Sequence, residues 1–207
     1  MAAERILALD MSTKTGWAYM TLDGQEVILH EFGQNSQIPQ VLGTYPEAFL
    51  DWAQQCFDAI LSLIKKFNPD TLVIEETASN SKSIYSQKIL EWIHFLLASF
   101  IKESKIKAVY IMSGQWKSET GCLMSKDESK RNKKVREYKK KHDTSVAYGD
   151  DGKRIGLVTR KHVSIRRANE LFGKFLKTPL RKKDEDAAES LLLGYCYCLR
   201  RINTGLI

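Results

Sequence analysis

RILALDMSTKTGWAY, residues 5–19, sets the problem of the fold: an apolar run ends in a lone carboxylate, and a small polar loop follows at once. Ile6, Leu7, Ala8 and Leu9 read as a strand buried on both faces. Asp10 stands where that strand runs out, and Ser12, Thr13 and Gly16 turn the chain before Trp17 and Tyr19 begin another strand. An acid on a buried strand is expensive unless it finds a hydrogen-bond partner or a cation. Asp10 is therefore either a loop-capping acid or a metal ligand, and this stretch alone leaves both open.

Downstream, residues 16–22 and 25–32 flank Asp23-Gly24, the preferred pair for a tight hairpin turn, so three strands form an antiparallel meander. Residues 33–43, rich in Gln, Asn and Gly, read as a loop. Tyr45, Phe49, Trp52, Cys56, Ile60, Leu63 and Phe67 recur every three or four residues and predict a helix that covers the sheet, closed by Pro69. TLVIEE, residues 71–76, repeats the opening pattern, a β-branched run leading into acids. Side chains alternate along a strand, so only one of Glu75 and Glu76 faces a given side. A second helix is expected over 83–104, and its apolar residues wrap too far round for one sheet face to bury. It is either central in the monomer or packed against a second subunit. Residues 108–112 form another strand, 160–172 a helix stopped by Gly173, and 184–202 a final helix. Asp186 and Glu189, three apart, share a face near the start of that helix. Acids in a first turn are also what the helix dipole favours in any protein.

A length of 207 residues suits one domain, residues 1–207, carrying an extended insertion. The net charge of +7 conceals a division: residues 126–183 hold 20 Lys and Arg against 7 Asp and Glu, and the rest of the chain 12 against 18. Such segregation is the footprint of a nucleic-acid binder, although a solvated basic arm shares it. Residues 118–159 have poor periodicity, crowded Lys and Arg, and Gly149, Gly152 and Gly156. They read as an extended, mobile basic insertion that orders on a polyanion. Four scattered cysteines form no paired framework, which places the chain in a reducing, intracellular compartment. Cys196 and Cys198 read as core filling. No signal peptide is expected, and residues 84–101, the longest apolar candidate for a span, are interrupted by Gln87, Lys88, Glu91 and His94. His30, His94, His142 and His162 have no metal-ligand spacing.

Taken jointly, acids at the ends of two buried strands and on an alanine-rich helical turn suit a site for two magnesium ions. Hard cations take carboxylate oxygens, and a pair of them serves in-line displacement at phosphorus. The order resembles the RuvC-type Holliday junction resolvases of the RNase H-like nuclease superfamily. ILALDMSTKTGWAY resembles that family's opening strand, LVIEE its central strand, and DAAESLLLGY its closing DAAD-type helix. The resemblance implies an α/β, RNase H-like fold: a mixed central sheet, with an antiparallel three-strand meander plus parallel strands, flanked by helices. It further implies a magnesium-dependent endonuclease, with manganese as a substitute ion, that cuts four-way and other branched DNA as a homodimer joined through helix 83–104. Asp10, Glu75, Asp186 and Glu189 would be the catalytic and metal-holding carboxylates, with Glu76 and Asp184 as alternative ligands. Lys117 matches a position that contacts backbone phosphate in the family, and Lys133, Lys134, Arg136, Arg166 and Arg167 are the further candidates for nucleic-acid contact.

The lysine-rich insertion looks more like a phage or viral version than a bacterial one, which sets the expected location as a bacterial cytoplasm or an infected cell. Glu189 departs from the family's usual Asp. Thr77, Ala78 and Ser79 stand where bacterial resolvases carry an aromatic that contacts the junction centre, which shifts that role to Tyr85 or to the insertion. Rival readings are a ribonuclease H acting on RNA–DNA hybrids, a flap nuclease, or a non-catalytic nucleic-acid-binding protein. An actin-like ATPase is weaker, because the chain is short for duplicated domains and has no P-loop.

Overall fold

The structure, a computed structural model, describes residues 2–76, 84–148 and 153–205. Its centre is a five-stranded sheet of order β3-β2-β1-β4-β5. The strands are β1 (Glu4–Asp10), β2 (Gly16–Asp23), β3 (Glu26–Gln34), β4 (Thr71–Glu76) and β5 (Lys107–Met112). The first three form the antiparallel meander, and β4 and β5 add in parallel to β1. This is the mixed sheet that the family resemblance implies. β3 runs two residues past the expected Phe32, because Gly16 at the start of β2 pairs with Gln34.

Alternation along the buried strands separates two cores. Ile6, Ala8 and Val73 face one side, where α6 (Glu185–Thr204) lies with α5 (Arg160–Phe172). Leu7, Leu9, Leu72 and Ile74 face the other, under α1 (Glu47–Phe67) and α2 (Ile84–Ser104). α1 starts at Glu47 rather than Tyr45, with Pro46 at its N-cap. α2 buries only Ile89, Ile93 and Leu97 and leaves Ile84 and Phe95 exposed, so the sheet face covers just part of its apolar surface. A short 3₁₀ turn, Lys182–Asp184, precedes α6. Cys196 and Cys198 are buried filling, as expected. Among the described residues no helix is long and apolar enough to cross a membrane.

Two glycines let α6 lie flat on the sheet. A Cβ on Gly16 would stand 2.1 Å from the backbone oxygen of Asp186, and one on Gly194 would meet Met20 Cε at 2.7 Å and Ala8 Cβ at 3.0 Å. The first contact seats the opening turn of α6, with its acids, beside the end of β1, since Gly16 is the partner of Asp10 in the β1–β2 ladder.

The extended insertion expected over 118–159 is corrected by the structure. After α3 (Ser113–Glu119) the chain forms a 16-residue helix, α4 (Lys126–Lys141), and a small antiparallel pair, β6 (Ala147–Tyr148) with β7 (Arg154–Ile155). Local bonds hold α4 in place of an apolar stripe. Ser125 accepts from the Glu128 amide while the Glu128 carboxylate accepts from the Ser125 amide, closing a capping box. Buried Asn132 bonds both the carbonyl and the amide of Val158. Glu128 pairs with Arg166 of α5, which holds its carboxyl down to about 2.

Candidate active site

β1 and β4 run in parallel, so their carboxyl ends lie at one edge of the sheet. Asp10 shares the parity of Ile6 and Ala8, and Glu75 that of Val73, so both fall on the face covered by α6. Glu76 has the opposite parity and lines a cavity of about 460 Å³ with Glu91, His94, Phe95 and Tyr110 on the α2 side. Both buried faces of the sheet are apolar, so the strand's own sequence leaves the choice between Glu75 and Glu76 open; the packing of α6 decides it. Asp184 accepts a hydrogen bond from the Arg181 amide in the turn before α6.

Asp186 and Glu189 project from the first turns of α6 toward the same edge. Burial pushes the Asp10 carboxyl well above the ordinary carboxylate range, and the neighbouring charges of Glu75, Glu189 and Asp186 push it further, against a smaller pull from Lys117. Glu75 is raised as well, chiefly by burial, although the buried Trp116 indole donates to its Oε2 at 2.8 Å. Asp10 therefore senses the other three acids expected from the sequence. At the other end of β1, Glu4 shows what a structural acid looks like. Burial raises it, yet hydrogen bonds from Thr71 and Tyr197 and the charges of Lys107 and Arg201 outweigh that and hold it low. Repelled carboxylates gathered at a strand end are the pattern of a functional site.

Three lysines stand among these acids. Lys117 Nζ lies 3.5 Å from Glu189 Oε1 and donates to Ser113 Oγ at 2.7 Å. Lys161 Nζ reaches Glu185 Oε1 at 2.6 Å and Asp186 Oδ1 at 3.3 Å, and Lys14 Nζ lies 3.7 Å from Asp186 Oδ2. Ser164, fully buried, donates to Glu189 Oε1 at 3.0 Å. Sequence reasoning finds Lys117 but misses Lys14, Lys161, Ser164 and Trp116. Lys161 and Ser164 share a face of α5 by their spacing of three, a weak signal until α5 is packed on α6.

The remaining basic candidates divide. Lys133, Lys134 and Arg136 are exposed on α4. Arg166 is paired with Glu128, and Arg167 donates to the Thr120 carbonyl at 2.7 Å and to Glu170, so both guanidinium groups join α5 to neighbouring elements. Tyr85 takes a hydrogen bond from Gln40 and packs edge-on against Phe49. Thr77, Ala78 and Ser79 lie outside the described residues. Among the described residues, no three His, Cys, Asp or Glu side chains are grouped closely enough to hold a metal ion as they stand. The donor chemistry nevertheless suits magnesium, which keeps much of its water and binds through one or two carboxylates together with substrate phosphate, so it needs no complete protein cage.

No protein-family model and no curated protein matches the sequence. Similarity to solved structures is extensive. The chain superposes on Thermus thermophilus RuvC in complex with Holliday junction substrate with a TM-score of 0.61 at 11% identity, covering 97% of this chain and 96% of that one. A second Thermus thermophilus RuvC structure gives 0.57 at 12% identity, with 97% of each chain covered. The yeast mitochondrial Holliday junction resolvase Ydc2 gives 0.55 at 14% identity, covering 97% of this chain and 81% of that one. With its sheet order and its helices on both faces, the chain has the RNase H-like α/β fold in the arrangement these resolvases share.

Proposed function

We propose that this protein is a magnesium-dependent endonuclease that resolves four-way or other branched DNA by phosphodiester hydrolysis. The observation that carries the reading is the convergence of Asp10, Glu75, Asp186 and Glu189, from three elements, at one edge of the sheet, where burial and then the charges of the other three raise Asp10. Such a cluster costs stability unless it binds cations. Asp10, Glu75, Asp186 and Glu189 would hold two magnesium ions, with manganese as a substitute, and metal there would supply Lewis-acid activation of water and of the leaving 3′ oxygen. The Trp116 indole fixes Glu75, Ser164 fixes Glu189, and the backbone contact at Gly16 fixes the depth of Asp186. Lys117 and Lys161, paired with these carboxylates, would meet the charge of an arriving phosphate. Lys133, Lys134 and Arg136 on α4 would neutralise backbone further along the duplex arms, a sequence-independent contribution that falls with salt. Selectivity for a junction would then come from its shape and deformability.

Paired cuts need two sites. α2 supports a twofold interface, since Phe95 is 69% and Ile84 75% exposed and a cleft of about 440 Å³ lies between Leu50, Trp92 and Phe95. The test is cleavage of a synthetic four-way junction in magnesium, beside a matched linear duplex and an RNA–DNA hybrid, by wild type and Asp10→Asn. Paired symmetric nicks in the junction alone, lost in the variant, are expected. Cutting chiefly of the hybrid would overturn the substrate, and cutting indifferent to Asp10→Asn would overturn the site.

A further inference from the structure

The segment between α3 and α5 encloses a cleft that the carboxylate site does not use. It has a volume of about 510 Å³ and lies between α4 and the β6–β7 pair. Lys130, Lys134 and Tyr138 recur every four residues and so line up on one face of α4, with Arg131 beside them. Tyr148 of β6, half exposed, supplies the facing aromatic wall. The floor is apolar, built from Val135 and Ala147, both almost fully buried, and from Ile155. Among the described lining residues, three cations stand against one carboxylate, Asp127.

An apolar floor, an aromatic wall and a cationic rim are what a nucleotide presents in reverse: a flat base with a phosphate at its edge. The volume falls in the range of small-ligand sites. A base in a duplex is stacked and paired and cannot enter such a cleft, whereas an unpaired base offers its face to an aromatic ring. Past the cleft, Lys141, exposed and seven residues beyond Lys134, continues the same basic stripe of α4, so the ligand that fits is a strand rather than a free nucleotide. We propose that this cleft holds an unpaired nucleotide of single-stranded DNA, its base against Tyr148 and its phosphates on Lys130 and Lys134. The inference rests on the nucleic-acid reading above and adds to it a place where a branch point's unpaired residues are captured, away from the carboxylates.

The test uses the full chain in EDTA, so that cleavage plays no part. Binding of labelled oligothymidylate and of a blunt duplex of equal length is followed by fluorescence anisotropy, and stacking by quenching of a 2-aminopurine placed in the strand. Tyr148→Ala is expected to weaken oligothymidylate binding about 10-fold and to relieve the quenching. Tyr148→Phe should bind as wild type, and duplex binding should stay within about 2-fold of wild type in both variants. Lys134→Gln should lower the salt slope of strand binding by about 1. Unchanged strand binding by Tyr148→Ala, or an equal loss for strand and duplex, would overturn the proposal. Displacement of the strand by thymidine monophosphate as readily as by unlabelled oligothymidylate would overturn the assignment to a strand. Capture of single strands through Tyr148 by a protein that cuts nothing would sink the nuclease reading and leave the cleft standing.

Discussion

At the residue scale, Asp10 and Glu4 show how one strand carries two kinds of acid. Glu4 is surrounded by donors and held low, while Asp10 is surrounded by other carboxylates and held high. The sign of the consequence follows from linkage. A carboxyl raised in the folded state contributes most to stability below its unfolded value near 4, and loses that contribution as pH rises through its folded pKa. At pH 8 without divalent metal, the buried carboxylate cluster therefore weakens the fold. Asp10→Asn is expected to melt higher than wild type by a few °C at that pH, the size that about 1 kcal/mol produces in a domain of this length, and to melt with it near pH 4. Magnesium should raise the melting temperature of wild type and leave the variant nearly unmoved, because only a ligand bound to the native state stabilises it. Calorimetry at the two pH values, with and without magnesium, checks both; a variant that melts lower at pH 8 would contradict the reading of Asp10.

At the element scale, α4 shows why a charged segment forms a helix. Nine Lys and Arg against three Asp and Glu, with few apolar residues, give no stripe for a core to grip. Its order comes instead from the Ser125–Glu128 capping box, the Asn132–Val158 bonds and the Glu128–Arg166 pair. The capping box joins residues three apart, whereas the bonds to Val158 and Arg166 join residues 26 and 38 apart. Glu128→Gln is expected to loosen α4 without unfolding the sheet. Limited trypsin digestion should cut at the α4 lysines several-fold faster than in wild type, with the circular dichroism melt little changed. Cutting of α4 at the wild-type rate would show that Glu128 does not hold it.

At the scale of the whole molecule, the exposed side of α2 and the basic block lie on different layers. α2 packs under the sheet with α1, while α4 and α5 lie toward the side of α6. A second copy docked on α2 would leave the basic surface of each subunit open. Phe95→Glu, at an exposed position, is expected to keep the fold but shift a dimer to monomer by at least about 10-fold in dissociation constant, read by sedimentation, since a charge opposite apolar surface is strongly disfavoured. Paired nicks in a junction should then become single ones; an unshifted dimer would remove α2 from the interface. What the sequence alone determined about this protein is what local periodicity and strand-end chemistry encode. That covers the meander, the covering helices and the acids at the strand ends as candidates, read from alternation and from the expense of a carboxylate on a buried strand, whereas the parallel addition of TLVIEE followed from the family resemblance. Only the tertiary structure decided that Glu75 rather than Glu76 faces α6, that Lys14 and Lys161 stand among the carboxylates, and that the basic segment closes a cleft. Each of these depends on which of two equally apolar faces a distant element covers, or on side chains far apart in the chain meeting in space, and local sequence does not carry that information.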